Sequence, residues 1–219
     1  MVSLSDIRDE AIGLLQGVEG GPSLDVQTSE LIAFAVRVSV TTLDSVSAQM
    51  HAQRALDAGA TMEQLHELVF LVSGLGVHTL LEGTRLVNRL AVPIASAQGI
   101  STPPLDEERQ RLWDTWIGQD RYWQGFEREV PNFLIELLQA SPQGFDAFFR
   151  YCAVPWAMGK LPPLTKELVS MAVDATPTHR FLPGMRLHLR NAVKLGAGRE
   201  AVLKVLEIAA AAPAHPGVA

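Results

Sequence analysis

Apolar residues recur at helical spacing in two stretches of the chain. Leu31, Phe34, Ala35 and Val38 share one helix face, and Leu65, Leu68, Val69 and Val72 share another. No segment alternates as a strand would, so the pattern predicts an all-α fold. It also returns later in the chain: residues 28–78 align without a gap onto 165–215 at a constant offset of 137, with twelve of those 51 positions identical. The identities include Thr28/Thr165, Glu30/Glu167, His51/His188, Gly59/Gly196 and His78/His215, and exchanges such as Ile32/Val169 and Leu68/Val205 stay apolar. Each copy reads as helix, irregular link, helix, glycine turn, helix. Thr28 and Thr165 suit N-caps, Gly59 and Gly196 suit the left-handed residue after a helix, and Thr61-Met62-Glu63-Gln64 has the spacing of a capping box.

Between the copies, Ala91 to Pro104 reads as a connector, which predicts one helical unit over 1–95 and a second, larger one over 105–219. Residues 113–156 hold eleven of the fourteen aromatics on two or three further helices interrupted by Pro131, Pro142 and Pro155. Core packing is the ordinary reading of such rings and a substrate pocket the alternative. Among 219 residues, 47% are hydrophobic and 19% charged, which excludes intrinsic disorder. The apolar stretches are broken by Arg37, His78 or Pro213 before spanning length, so no membrane partner is expected. A net charge of −6 without any basic run speaks against nucleic acid as a partner. Cys152 stands alone, which excludes an intramolecular disulfide or a dithiol couple within one chain. Together with a first segment, Met1 to Glu10, that lacks the features of an export signal, this predicts a cytoplasmic protein.

His51 and His188 are the first candidates for chemistry, since an ionisable ring is kept at the same place in both copies. A hydrogen-bonded core role is the bland alternative. Glu30 and Glu167 are expected in the first turn of their helices, where a carboxylate meets the positive end of the macrodipole. His78 and His215 form the third matched pair. If the helices flanking Gly196 form a hairpin, His179 and His215 lie at similar height and His188 roughly 16 Å lower, at about 1.5 Å per residue. Pro183-Gly184 is expected to interrupt the helix before His188. A zinc or iron site from His179, His188, His215 and Glu167 is one alternative, although no H-x-x-x-H or H-E-x-x-H spacing occurs. Arg186 and Arg190, one helical turn apart around His188 with Arg180 nearby, suit a carboxylated substrate; Gln49 and Gln53 stand there in the first copy. No Ser-His-Asp or Cys-His nucleophile motif is present, and no phosphate-cradling glycine loop indicates a nucleotide cofactor.

Leu164-Thr165-Lys166-Glu167-Leu168-Val169, followed by Arg186-Leu187-His188-Leu189-Arg190-Asn191-Ala192 and Gly196-Ala197, resembles the core of the carboxymuconolactone decarboxylase superfamily. The first copy carries the same frame in Ser29 to Val36, His51 and Ala55 to Thr61, and the two copies cover about half of the chain. The resemblance implies an all-helical fold, oligomers and no organic cofactor. In the alkylhydroperoxidase branch a cysteine pair precedes the histidine; here those positions hold Asp44 and Ser47 in one copy and Phe181 and Gly184 in the other. Without a thiolate, disulfide-based peroxide reduction is excluded. The decarboxylase branch then implies a cofactor-independent lyase or isomerase for a small carboxylated acid or lactone, with decarboxylation as the specific expectation. His188 would be general acid or base, with Glu167 orienting it. Arg186 or Arg190 would hold the substrate carboxylate, and His179, His215 and His78 are further substrate-binding candidates. His51 with Glu30 would form a second or degenerate site. The alternatives are a metal-dependent enzyme using His179, His188 and His215, and a non-catalytic ligand-binding or assembly protein. The paired apolar helices predict a homo-oligomer, a trimer of tandem chains.

Overall fold

The computed structural model describes residues 2–97 and 104–217, apart from the side chains of 90–97. Among these residues the regular elements are all helical. In chain order they are α1 (Leu4–Leu14), α2 (Val26–Val38), α3 (Ser45–Asp57), α4 (Met62–Ser73), α5 (His78–Ala97), α6 (Glu107–Trp116), α7 (Arg121–Glu129), α8 (Phe133–Ala140), α9 (Pro142–Met158), α10 (Pro163–Asp174), α11 (Leu182–Lys194) and α12 (Arg199–Ala210). The three helices expected in each copy are therefore α2, α3, α4 and α10, α11, α12. Of the connector expected from Ala91, residues up to Ala97 continue α5, as suits an alanine-rich run, and 98–103 lie outside the described residues.

By compactness the chain forms two units, one of Met1–Leu75 with Val154–Ala219 and one of Gly76–Ala153, the boundary falling within α9. The spans 1–95 and 105–219 describe sequence repeats; compactness instead gathers both repeats' helix triplets into the first unit. Each repeat's first helix packs on the other repeat's third, α2 on α12 and α10 on α4, and α2 and α10 pack on each other. This reciprocity is what two like modules related by a two-fold axis produce. Matched residues carry it: Leu31 and Leu168, Ile32 and Val169, Ala35 and Ala172, Val36 and Val173 are all buried. The two links also meet, since the Thr178 hydroxyl donates to the Thr41 carbonyl at 2.8 Å and the Thr41 and Thr176 hydroxyls lie 3.4 Å apart. That contact gives the matched Thr41/Thr178 a structural reason to persist.

Local signals fix most helix ends. Gly59 (φ +95) and Gly196 (φ +100) take the left-handed conformation that stops α3 and α11, and the capping box Thr61/Gln64 is formed at α4. The first helices start earlier than Thr28 and Thr165. Asp25 caps α2 by accepting from the Thr28 N–H at 2.8 Å, and α10 opens on Pro163, whose fixed φ and missing N–H suit a first turn. For the same reason Pro183 stands in the first turn of α11 and does not interrupt it. Pro155, also expected to interrupt, lies inside α9. By length and composition the helical stretch Met62–Arg89 could cross a membrane, contrary to expectation. Its Glu67, however, is fully buried against Lys166, as in a core helix.

The N-terminus of α12 is closed by a distant strap, for Arg199 and Glu200 donate their N–H groups at 2.9 Å to the carbonyls of Glu19 and Gly20. Gly198 lies against the strap, and a Cβ there would meet the Gly20 carbonyl oxygen and sit 2.8 Å from Gly21 Cα. Backbone on both sides leaves no soft neighbour to yield. Gly198→Ala is expected to cost about 1–3 kcal/mol, read as a lower unfolding midpoint in urea; an unchanged midpoint would refute this contact's importance.

The unit Gly76–Ala153 is built on rings. Phe149 meets Phe145 at 4.8 Å, Trp123 at 4.9 Å, Phe148 at 5.0 Å and Trp116 at 5.4 Å. The Trp116 indole N–H donates to Asp146 at 2.9 Å, and Phe133, Leu134, Leu138 and Phe145 are fully buried. These contacts are core packing. Cys152 on α9 is half-buried, and burial pushes its thiol up to about 11, so it is not a thiolate at neutral pH.

Candidate active site

Each repeat folds its first two helices into a hairpin whose link is tied the same way. The Asp44 N–H donates to the Arg37 carbonyl at 3.0 Å in one repeat, and the Phe181 N–H to the Asp174 carbonyl at 2.8 Å in the other. The hairpins bring Glu30 of α2 to His51 of α3, with Oε2 2.6 Å from Nδ1, and Glu167 of α10 to His188 of α11, with Oε2 2.7 Å from Nδ1. The 21-residue separation in both copies is thus the span of one hairpin. Because α2 and α10 begin early, both glutamates fall in the second helical turn. The macrodipole is weak that far along a helix, and the carboxylates are held by the imidazoles instead.

A carboxylate on Nδ1 selects the tautomer and turns Nε2 toward other chemistry, the arrangement general acid–base catalysis needs. The two pairs differ in exposure. His188 is 19% exposed over a Glu167 that is 5% exposed, whereas His51 is 11% exposed and Glu30 20%. A desolvated carboxylate under a more open ring is the stronger electrostatic partner. Burial alone would lower the proton affinity of His188, but the Glu167 hydrogen bond and charge, with the charge of Asp174, overcome it and raise it. The Asn191 amide adds a donor to Glu167 Oε1 at 3.4 Å.

Asp174, not singled out in the sequence, ends α10 and is 1% exposed. It packs so closely on Gly184 that no Cβ fits at 184. Burial pushes its carboxyl up to about 7, against the pull of His188. His179, in the link, is 18% exposed with Nε2 3.6 Å from Asp174 Oδ1; burial holds its proton affinity down. Asp174 could have been found from its spacing, since Glu167 and Asp174 stand two helical turns apart on one face of α10.

Arg186, Arg190 and His215 are placed differently. Residues two apart on a continuous helix do not share a face, so Arg186 and Arg190 are displaced from the His188 side of α11. Arg186 is 3.7 Å from Glu10 of α1. His215 lies outside any helix, because α12 stops at Ala210 and Pro213 and Pro216 disfavour helical backbone around it. It is exposed, with Nδ1 accepting from the Gly217 N–H at 2.8 Å. The hairpin height argument for His179 and His215 therefore fails, and His179, His188 and His215 do not gather ligand atoms around one point. His78 is the first residue of α5, in the other compact unit.

The profile of the Carboxymuconolactone decarboxylase family matches residues 10–74 and 142–219, which contain both Glu–His pairs. No curated protein gives a significant match. A crystal structure from Burkholderia xenovorans LB400 is similar over 95% of this chain and 84% of its own, at 32% identity and a TM-score of 0.70. That protein carries a provisional description as a gamma-carboxymuconolactone decarboxylase subunit.

Proposed function

Because the chain belongs to the carboxymuconolactone decarboxylase family, we propose that it is a cofactor-independent lyase that decarboxylates a small carboxylated lactone or related organic acid, with His188 moving the proton. The observation that carries this reading is the 2.7 Å contact between the Glu167 carboxylate and His188 Nδ1, under a ring that keeps partial access to solvent. In the reaction the bond to the substrate carboxylate breaks and carbon dioxide leaves. The electron pair stays on carbon, delocalised into the neighbouring carbonyl. His188 Nε2 gives its proton to that carbon and regains one from water, so each turnover consumes one proton. Glu167 holds the ring in orientation and stabilises its charge before the transfer. Glu30 and His51 repeat the contact at 2.6 Å and form the second site of the same frame.

The test is carbon dioxide release from a panel of carboxylated lactones, run beside elemental analysis of protein purified without tag or chelator. The expected result is release that needs no added metal and survives chelation. Stoichiometric zinc, iron or manganese, lost together with activity in His188→Ala, would overturn the cofactor-free mechanism in favour of a metal-dependent one.

A further inference from the structure

The two Glu–His pairs share a backbone frame but not a charge. Position 174 of the second repeat corresponds to 37 of the first, and the carbonyl of each accepts the link N–H described above. There the first repeat carries Arg37 and the second carries Asp174. The replacement extends around the position: Thr42 stands for His179, and Ser47, whose hydroxyl is bound by Asp44, stands for Gly184. Gly184 lies one helical turn before His188 on α11, and Asp174 is packed on Gly184. The ring of His188 therefore has Glu167 at one level and a second carboxyl about one turn away, roughly 5–6 Å along the helix. The N-terminal turn of α11, beginning at Leu182, adds its positive end on the Asp174 side.

We propose that the repeats are functionally unequal: the Glu167–His188 pair is the proton donor of the protein, and Asp174 is the positioning residue that holds His188 in its protonated form. Arg37 at the matched place carries the opposite charge, and its guanidinium faces the carboxylates of Asp44 and Glu30. This rests on the proton-transfer reading of His188 given above. Several charged groups of the same unit surround the pair. From α10, Glu167 and Asp174 act on His188, and His179 approaches Asp174 from the link. On α11, Arg190 sits off the His188 face and Arg186 meets Glu10 of α1. From α4, Glu67 is engaged by Lys166; on α2, Glu30 is engaged by His51; on α12, Lys204 and Glu207 pair at 3.1 Å.

The experiment is a histidine ring titration by NMR on the full chain, with His188→Gln and His51→Gln used for assignment. In Asp174→Asn, which keeps shape and removes charge, the His188 midpoint is expected to fall by about one pH unit, a tenfold loss of proton affinity, while His51 stays within its parent curve. A His188 midpoint that does not move in the folded variant would overturn the proposal. Should Asp174→Asn not fold, carboxyl-labelled parent protein decides: the Asp174 and His188 signals are expected to share an inflection, each shifting as the other titrates, and two titrations with no shared inflection would overturn it. Neither titration needs substrate. A shifted His188 in a protein without decarboxylase activity would refute the reaction alone, and activity with an unmoved His188 would refute the role of Asp174 alone.

Discussion

Replacing His188 with glutamine is expected to lower kcat for carbon dioxide release by about 10²–10⁴-fold, the range a positioned proton carrier supplies. Glutamine preserves a polar partner for Glu167 and much of the ring's volume, so the fold should survive. It cannot carry the proton. Since the group acts while charge develops on carbon, KM should change far less than kcat. His51→Gln should lose much less, because Arg37 replaces the second carboxyl beside that pair. Steady-state rates on an identified carboxylated lactone, with circular dichroism of each variant, make the comparison. Full turnover in His188→Gln would remove it from the mechanism, and equal losses in both variants would make the repeats equivalent.

The second large effect belongs to stability. Lys166 on α10 is 2% exposed and Glu67 on α4 fully buried, with Nζ 2.5 Å from Oε1. The ammonium also donates to the Pro155 carbonyl at 2.9 Å and lies 5.2 Å from the Trp156 ring centroid. Glu67 Oε2 accepts the N–H groups of Lys160 and Leu161 at 2.5 and 3.2 Å. Removing the carboxylate would strand a buried cation and two backbone donors at once. Glu67→Ala is therefore expected to cost about 3–5 kcal/mol, measured by urea unfolding with an unchanged slope. The double variant Glu67→Leu/Lys166→Met should recover a large part, since it strands no charge. A single variant within about 1 kcal/mol of the parent would show that the pair is not the buried clamp it looks like.

Likeness between the repeats is what made the sequence readable, and unlikeness is what hid the rest. Gly59 and Gly196, or Glu30, His51, Glu167 and His188, declare themselves because each is kept in both copies. A kept residue at a fixed offset reports a kept backbone position. Asp174 and Lys166 do not, since their counterparts are Arg37 and Ser29, and comparing copies passes over a position where chemistry has diverged. Pro183-Gly184 reads as a break, but a proline in a first turn starts a helix, and α11 runs unbroken from Leu182 through His188. His215 followed from extending α12 by analogy with the first repeat, where no proline stands at the matched positions.

The compact unit that holds both Glu–His pairs is discontinuous, its halves separated by Gly76–Ala153. On a ribosome the N-terminal half emerges first, with the apolar face of α2 and the carbonyls of Glu19 and Gly20 lacking the α10 and α12 they need. At about 5–20 residues per second, making the insert takes several seconds, far longer than a helix needs to form. A nascent chain therefore carries a sticky, half-built core through much of its synthesis. Expression yield should depend on translation speed through the insert and on the holdases that shield α2 meanwhile.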